Sequence, residues 1–249
     1  MGLKRNDLIP VSCGVVVVLS ALLYVYSAYV DHRMIQIDSF IYKGKRVKLI
    51  ESSYNCGFRH RRMTERCLEM AIAKIWLEKN KEDVIEIGAV SPYYFQNLTH
   101  DVCDPADKHE RVNLKTSMFN LDLKDKNVLS ISTIEHIGMG EYGIPINKNE
   151  SAVSALKKIL RESRKCLITF PVGRNKELDL YVFENTFSKP VTVSFFVRKL
   201  NNSFFEGARD NPFKGIEDNL FMETKDINLV KRATYGPVGA NAVVVIEKE

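Results

Sequence analysis

The chain has 249 residues, of which 45% are hydrophobic, 27% charged and 10% aromatic, with only 13 Gly and 8 Pro. This composition belongs to a folded globular protein and excludes disordered, collagen-like and low-complexity chains. The formal charge of +5 is too small to indicate a nucleic-acid partner without a clustered basic stripe. Five cysteines with no C-x-x-C pair argue against a disulfide framework or a zinc site.

The first element is an uncharged run, Leu8 to Val30, of 23 residues. At 1.5 Å rise per residue, about 20 apolar residues cross a hydrocarbon core of roughly 30 Å. Tyr24, Tyr26 and Tyr29 cluster near its end, where aromatic rings favour the lipid–water interface. A cleaved signal peptide is the competing reading, although such cores run only about 7–15 residues. Residues 1–30 are therefore expected to be an N-terminal, single-pass transmembrane anchor in the lipid bilayer. Lys4 and Arg5 precede the run, whereas Arg33, Lys43, Lys45, Arg46 and Lys48 follow it. That count favours a cytosolic C-terminal part, while sequons at Asn97, Asn149 and Asn201 would matter only in a lumen.

Residues 31–61, with KGKRVK at Lys43–Lys48 and RHRR at Arg59–Arg62, read as a basic juxtamembrane connector. Residues 62–249 read as one domain. A helix is predicted from Thr64 to Lys79, with Thr64 as cap and Cys67, Leu68, Ala71, Ile72, Ile75 and Trp76 on one stripe. Strands are predicted at Val84–Gly88, more weakly at His100–Cys103, and at Asn127–Ser132. A helix follows over Ser151–Arg164 with Ser151 as cap, then a strand over Cys166–Phe170 that stops at Pro171. Alternating strands and helices imply right-handed crossovers and a doubly wound, mainly parallel α/β sheet. Val191–Val197 and Ala242–Glu247 are expected to add an antiparallel C-terminal part.

In such a sheet, ligands bind beyond the carboxyl ends of the strands. After the first parallel strand comes Glu86-Ile87-Gly88, neither a dinucleotide fingerprint nor a P-loop. After the second comes Asp104, ahead of Pro105; Asp122 lies in the next turn. Both acids read equally as solvent-facing turn residues and as acceptors for ligand hydroxyls. The third strand runs into Ser132-Thr133-Ile134-Glu135-His136 and then a loop with Gly138, Gly140 and Gly143. Polar groups in that position do not serve a core, which points to a site, with Phe170-Pro171-Val172-Gly173 as a further wall.

This order of motifs resembles the class I, S-adenosylmethionine-dependent methyltransferases, with their Rossmann-like fold. It is also similar to a methyltransferase-like family whose signature is S-T-x-E-H-x-G-x-G-x-Y-G, here Ser132 to Gly143. The resemblance covers about Asp83 to Gly173. It implies that S-adenosylmethionine is the cofactor, with Glu86 and Gly88 facing its methionine part, Asp104 holding the ribose hydroxyls and Asp122 near the adenine. Ser132, Glu135 and His136 would line the cleft where methyl transfer occurs. His136 is the candidate base, with a structural role in pinning the Gly138–Gly143 loop as the alternative. The acceptor is expected to be a small molecule or a glycan. The glycine-rich turn of the wider family is reduced here to Gly88, with Val90 and Pro92 nearby. That departure motivates a second reading, an inactive scaffold on the same fold. An anchored glycosyltransferase is a third, weakened by the absence of a D-x-D motif.

Overall fold

Four neighbouring parallel strands make the core of the sheet, but only the last chain connection between them contains an α-helix. Where helices were expected between the earlier strands there are single 3-10 turns, and three further strands extend the sheet at one side. The computed structural model describes residues 39–51, 64–198, 221–233, 235–236 and 239–249, with position 22 in isolation. The chain divides into two units, Met1–Ile37 and Asp38–Glu249. All the elements named below belong to the second. Apart from Leu22, the run expected to form a membrane anchor lies outside the described residues. No helix among those described is long and apolar enough to cross a membrane.

In chain order the elements are β1 (Ser39–Tyr42), β2 (Lys45–Lys48), α1 (Glu65–Lys79), β3 (Val84–Ile87), β4 (Asp101–Cys103) and β5 (Asn127–Ile131). Then follow α2 (Ala152–Glu162), β6 (Lys165–Pro171), α3 (Lys176–Glu184), β7 (Val191–Arg198) and β8 (Phe221–Thr224). The last are α4 (Ile227–Lys231), β9 (Tyr235–Gly236), β10 (Gly239–Ala240) and β11 (Ala242–Lys248). The central sheet has the order β4-β3-β5-β6-β11-β7-β8. β4, β3, β5 and β6 are parallel. β11 runs antiparallel to both β6 and β7, and β8 antiparallel to β7. The protein is thus a mixed α/β fold whose strands run mostly one way.

Strand alternation sorts the side chains into two layers. Val128, Cys166, Ile168, Phe170, Val244 and Ile246 join one core with residues of α2, α3 and α4. Their neighbours in sequence face the other side, where α1 lies against β5 and β6. There the hairpin β1–β2 contributes Phe40, whose ring meets Phe196 edge-on at 5.9 Å. Lys43 at the hairpin's tip reaches Glu247 at 2.9 Å. This hairpin falls within the stretch read as a basic juxtamembrane connector. Its second strand, KRVK, is almost wholly polar and carries no alternation to betray it.

Three of the four α-helices are capped by side chains, including α4, where Asp226 accepts from the Asn228 and Leu229 N–H groups. Ser151 closes a capping box with Ser154, accepting from the Ser154 N–H at 3.2 Å. Asn175 caps the unanticipated α3 by accepting from the Leu178 N–H at 3.1 Å. The hydroxyl of Thr64, expected to cap α1, makes no such bond and lies 3.8 Å from the Cys67 sulfur. The helix is buried more widely than one stripe, with Glu65 and Glu69 inside as well as Met70 and Ala73. Cys67, Cys103 and Cys166 are buried free thiols. Burial pushes the Cys103 thiol up to about 11 and that of Cys166 to about 12.

Candidate functional site

The chain passes from β3 outward to β4, then returns to the opposite side of β3 to form β5. That reversal opens a crevice beyond the carboxyl ends of β3 and β5, the usual ligand position in open α/β sheets. A cavity of about 1230 Å³ occupies it, with Gly88, Asp104, Ser132, Glu135 and His136 all in its wall. Glu86 and Asp122 are not part of that wall.

Glu86 is wholly buried behind it. Its carboxylate accepts from the backbone N–H groups of Val90 (3.1 Å) and Ser91 (2.7 Å) and from the Ser91 hydroxyl. His100 Nε2 approaches from the other side at 2.9 Å. The carboxylate is thus spent on shaping the turn after β3. Gly88 begins that turn with φ +87°. A Cβ there would lie 2.0 Å from the Thr133 hydroxyl, so the ends of β3 and β5 approach closely because this residue has no side chain.

Asp104 braces the second loop against the first. It accepts from the Ala89 N–H at 3.2 Å and from the Ala106 and Asp107 N–H groups at 2.8 Å each. Asp107 in turn accepts from the Tyr93 hydroxyl at 2.9 Å. Asp122 is exposed and, among the described residues, bonds within its own turn, accepting from the Lys124 N–H at 2.9 Å.

Ser132 lines the cleft in the left-handed region, φ +39°, but its hydroxyl points back, donating to Glu69 of α1 at 2.7 Å. Thr169 on β6 donates to the same carboxylate at 2.9 Å, and Arg66 lies 3.8 Å from it. Burial raises the Glu69 carboxyl above its usual range against the pull of Arg66. Neither Glu69 nor Arg66 was among the residues singled out from the sequence. The signal was present in the breadth of apolar positions on α1, which implies cover on more than one side.

Glu135 is 1% exposed, and neither carboxylate oxygen has a hydrogen-bond partner among the described residues. Burial, then the nearby carboxyl of Glu69, pushes it well above the ordinary carboxylate range. His136 follows with Nε2 at 3.7 Å from Glu135 and Nδ1 at 2.5 Å from Glu141. Arg174, after β6, holds the other oxygen of Glu141. Burial lowers the His136 pKa despite Glu141, so the ring is neutral at pH 7. Glu141 is held below its usual range by His136 and then Arg174. The result is a line from buried acid to imidazole to carboxylate to guanidinium, built from two loops.

The wall after β6 turns at Gly173, whose N–H donates to Asp179 at 2.8 Å. The second Asp179 oxygen is buried without a partner, and burial raises this carboxyl to about 6. A raised folded-state value stabilises the fold below the unfolded value near 4, and that contribution is lost as pH climbs to about 6. Asp179→Asn keeps an acceptor for Gly173 and removes the charge. It is expected to gain about 1–2 kcal/mol at pH 7, a rise of about 3–6 °C in Tm, with no gain at pH 4. Thermal unfolding at the two pH values checks this. An equal shift at both would reject the assignment.

No family model, curated protein or solved structure matches this chain.

Proposed function

We propose that the protein is a membrane-anchored methyltransferase that uses S-adenosylmethionine and acts on a small-molecule or glycan acceptor. The observation that carries this reading is the gathering of Gly88, Asp104, Ser132, Glu135 and His136 around one cavity at the reversal of strand order. Drug-sized ligands fill about 300–1,000 Å³, so about 1230 Å³ leaves room for a cofactor and an acceptor together. The finer assignment, a Rossmann-like methyltransferase fold, is supported by the same reversal and by the parallel run β4-β3-β5-β6. The anchor rests on the composition of Leu8–Val30.

The residues fit the cofactor in two respects. The turn at Gly88 brings the end of β3 into the cleft wall, and Asp104 places a carboxylate at the end of β4 there. When bound, the cofactor supplies an electrophilic methyl group on a sulfonium centre. The chain's own residues hold, align and deprotonate the acceptor. His136, neutral and fixed through Nδ1 by Glu141, keeps Nε2 on the side of Glu135, where it can take a proton. Glu86 and Ser132 act from behind, the first by shaping the turn and the second by tying the end of β5 to α1.

The scaffold reading draws on one specific observation. The carboxylate of Asp104 already accepts from three backbone N–H groups. Titration of the full chain in detergent micelles with S-adenosylmethionine, S-adenosylhomocysteine and UDP-glucose separates the readings. Micromolar binding of the first two is expected, with about tenfold weakening in Asp104→Asn, a change of about 1.4 kcal/mol. No binding of either adenosyl compound would favour the scaffold, and UDP-glucose binding alone would favour a glycosyltransferase.

A further inference from the structure

The loop that follows His136 carries its polarity reversed. Between Met139 and Ile146 its one charged side chain, Glu141, turns inward to His136 at 2.5 Å and to Arg174. Met139, Tyr142, Ile144 and Ile146 meanwhile stay 38–68% exposed. A loop shaped for water does the opposite, sending charge outward and apolar groups in. Positive φ angles at Gly138, Gly140, Tyr142 and Gly143 hold this arrangement, and for a tyrosine that conformation is uncommon.

Exposed rings gather at the same place. Among the described residues the exposed aromatics are Tyr93, Tyr142 and Tyr235, and all three lie in the cleft wall with Ile144. Met139 and Ile146 border the recess beside it. The other exposed apolar side chains of this unit, Ile41, Leu180, Met222 and Leu229, sit singly on four separate elements. Only the cleft mouth carries a contiguous apolar rim among the described residues.

We propose that this rim is a membrane-contacting surface, docked into the interface of a neutral lipid bilayer so that the cleft opens at the headgroups. The place where the chain enters the unit supports a bilayer as the occupant. The ring of Phe40 meets Phe196, Phe196 pairs with Val243, and Val243 pairs with Pro171 of the cleft wall. The hairpin tip, Lys43, lies the other way, reaching Glu247 at the level of Leu167. The chain leading into Ser39 therefore arrives at the cleft end of the sheet. Eight residues separate Ser39 from Val30, the last of the uncharged run, a reach of at most about 30 Å. Lipid is thus within reach of the rim if that run lies in a bilayer.

The side chains suit the boundary. Tyrosine joins an apolar ring to a polar hydroxyl and favours the lipid–water interface. Beside the rim, Lys148 and Lys176 are matched by Glu150 and Glu177. Apolar burial, rather than attraction to anionic headgroups, therefore carries the contact. This assignment rests on the anchor in the proposed function and adds the face that meets the membrane.

Brominated phosphatidylcholine, a contact quencher of tryptophan, tests it on the full chain reconstituted in vesicles. The native Trp76 is 7% exposed, and its emission is subtracted using the unaltered chain. Ile146→Trp and Met139→Trp are two independent probes of the rim. Lys79→Trp is the control, exposed at the end of α1 just before β3 begins, at the opposite end of the sheet. Both rim probes should lose about half or more of their added emission, most with bromine near the headgroups, since such docking reaches about 5–10 Å. Lys79→Trp should keep its emission, and adding Ile144→Asp to Ile146→Trp should restore it. Rim probes quenched no more than the control, or only after phosphatidylglycerol is added, would overturn the proposal. Val18→Trp reports on the anchor separately. Quenching there with an unquenched rim rejects the rim alone, whereas no quenching there rejects the anchor. Adenosyl-compound binding is measured apart from both.

Discussion

Replacing Gly88 by alanine is expected to cost about 3–5 kcal/mol and to lower Tm by about 10 °C or more. Two penalties add. An alanine at φ +87° leaves the region that L-residues readily occupy, at about 1–3 kcal/mol. Its Cβ would also lie 2.0, 2.5 and 2.7 Å from the Oγ1, Cγ2 and Cβ of Thr133, contacts that force the ends of β3 and β5 apart. The two penalties are separable by a double-mutant cycle. Thr133→Gly removes all three clashing atoms, so in that background the alanine should cost only the backbone part. Chemical denaturation of the four proteins gives the coupling energy. Its absence would mean that the close approach is not what glycine serves here.

Glu69→Ala carries the second large expectation, a loss of about 3–5 kcal/mol. The Glu69 carboxylate is 0% exposed and accepts from Ser132 on one strand end and Thr169 on the neighbouring strand. It is also the nearest counter-charge to Arg66. Truncation leaves two buried hydroxyls without their acceptor and the half-buried guanidinium of Arg66 without its counter-charge. Glu69→Gln retains one acceptor oxygen at similar volume and is expected to cost less than half as much. Denaturant midpoints compared at constant m-value test the pair. An alanine penalty below about 1 kcal/mol would show that solvent reaches this cluster and relieves it.

These two residues also show what the sequence reveals and what it conceals. β3, β5, β6 and α2 were legible because short-range periodicity determines them, and their order placed Gly88, Asp104, Ser132, Glu135 and His136 at one edge. The partners of those residues were not legible. Glu69 meets Thr169 across 100 positions of chain, and such a meeting depends on how α1 is laid on the sheet. The engagement of Glu86 with the turn after its own strand was hidden for another reason. A carboxylate near a glycine turn reads equally as a ligand contact and as a brace for that turn. α3 escaped notice because Pro171 and Gly173 mark a break. Its start signals, Asn175 with Glu177 and Asp179 in the first turn, come immediately after.

The buried thiols give the protein internal clocks. At pH 8 an ordinary cysteine is about one-quarter thiolate. At pKa values of about 11 and 12, Cys103 and Cys166 are thiolate in only about one molecule in 1,000 and 10,000. Packing shields them further, as it does Cys67. Alkylation at any of the three therefore proceeds through opened molecules and counts opening events. Cys103 ends β4 beside the cleft, Cys166 lies in the α2–α3 layer, and Cys67 sits in the first turn of α1. The order in which they are labelled would record which layer of the molecule comes apart first.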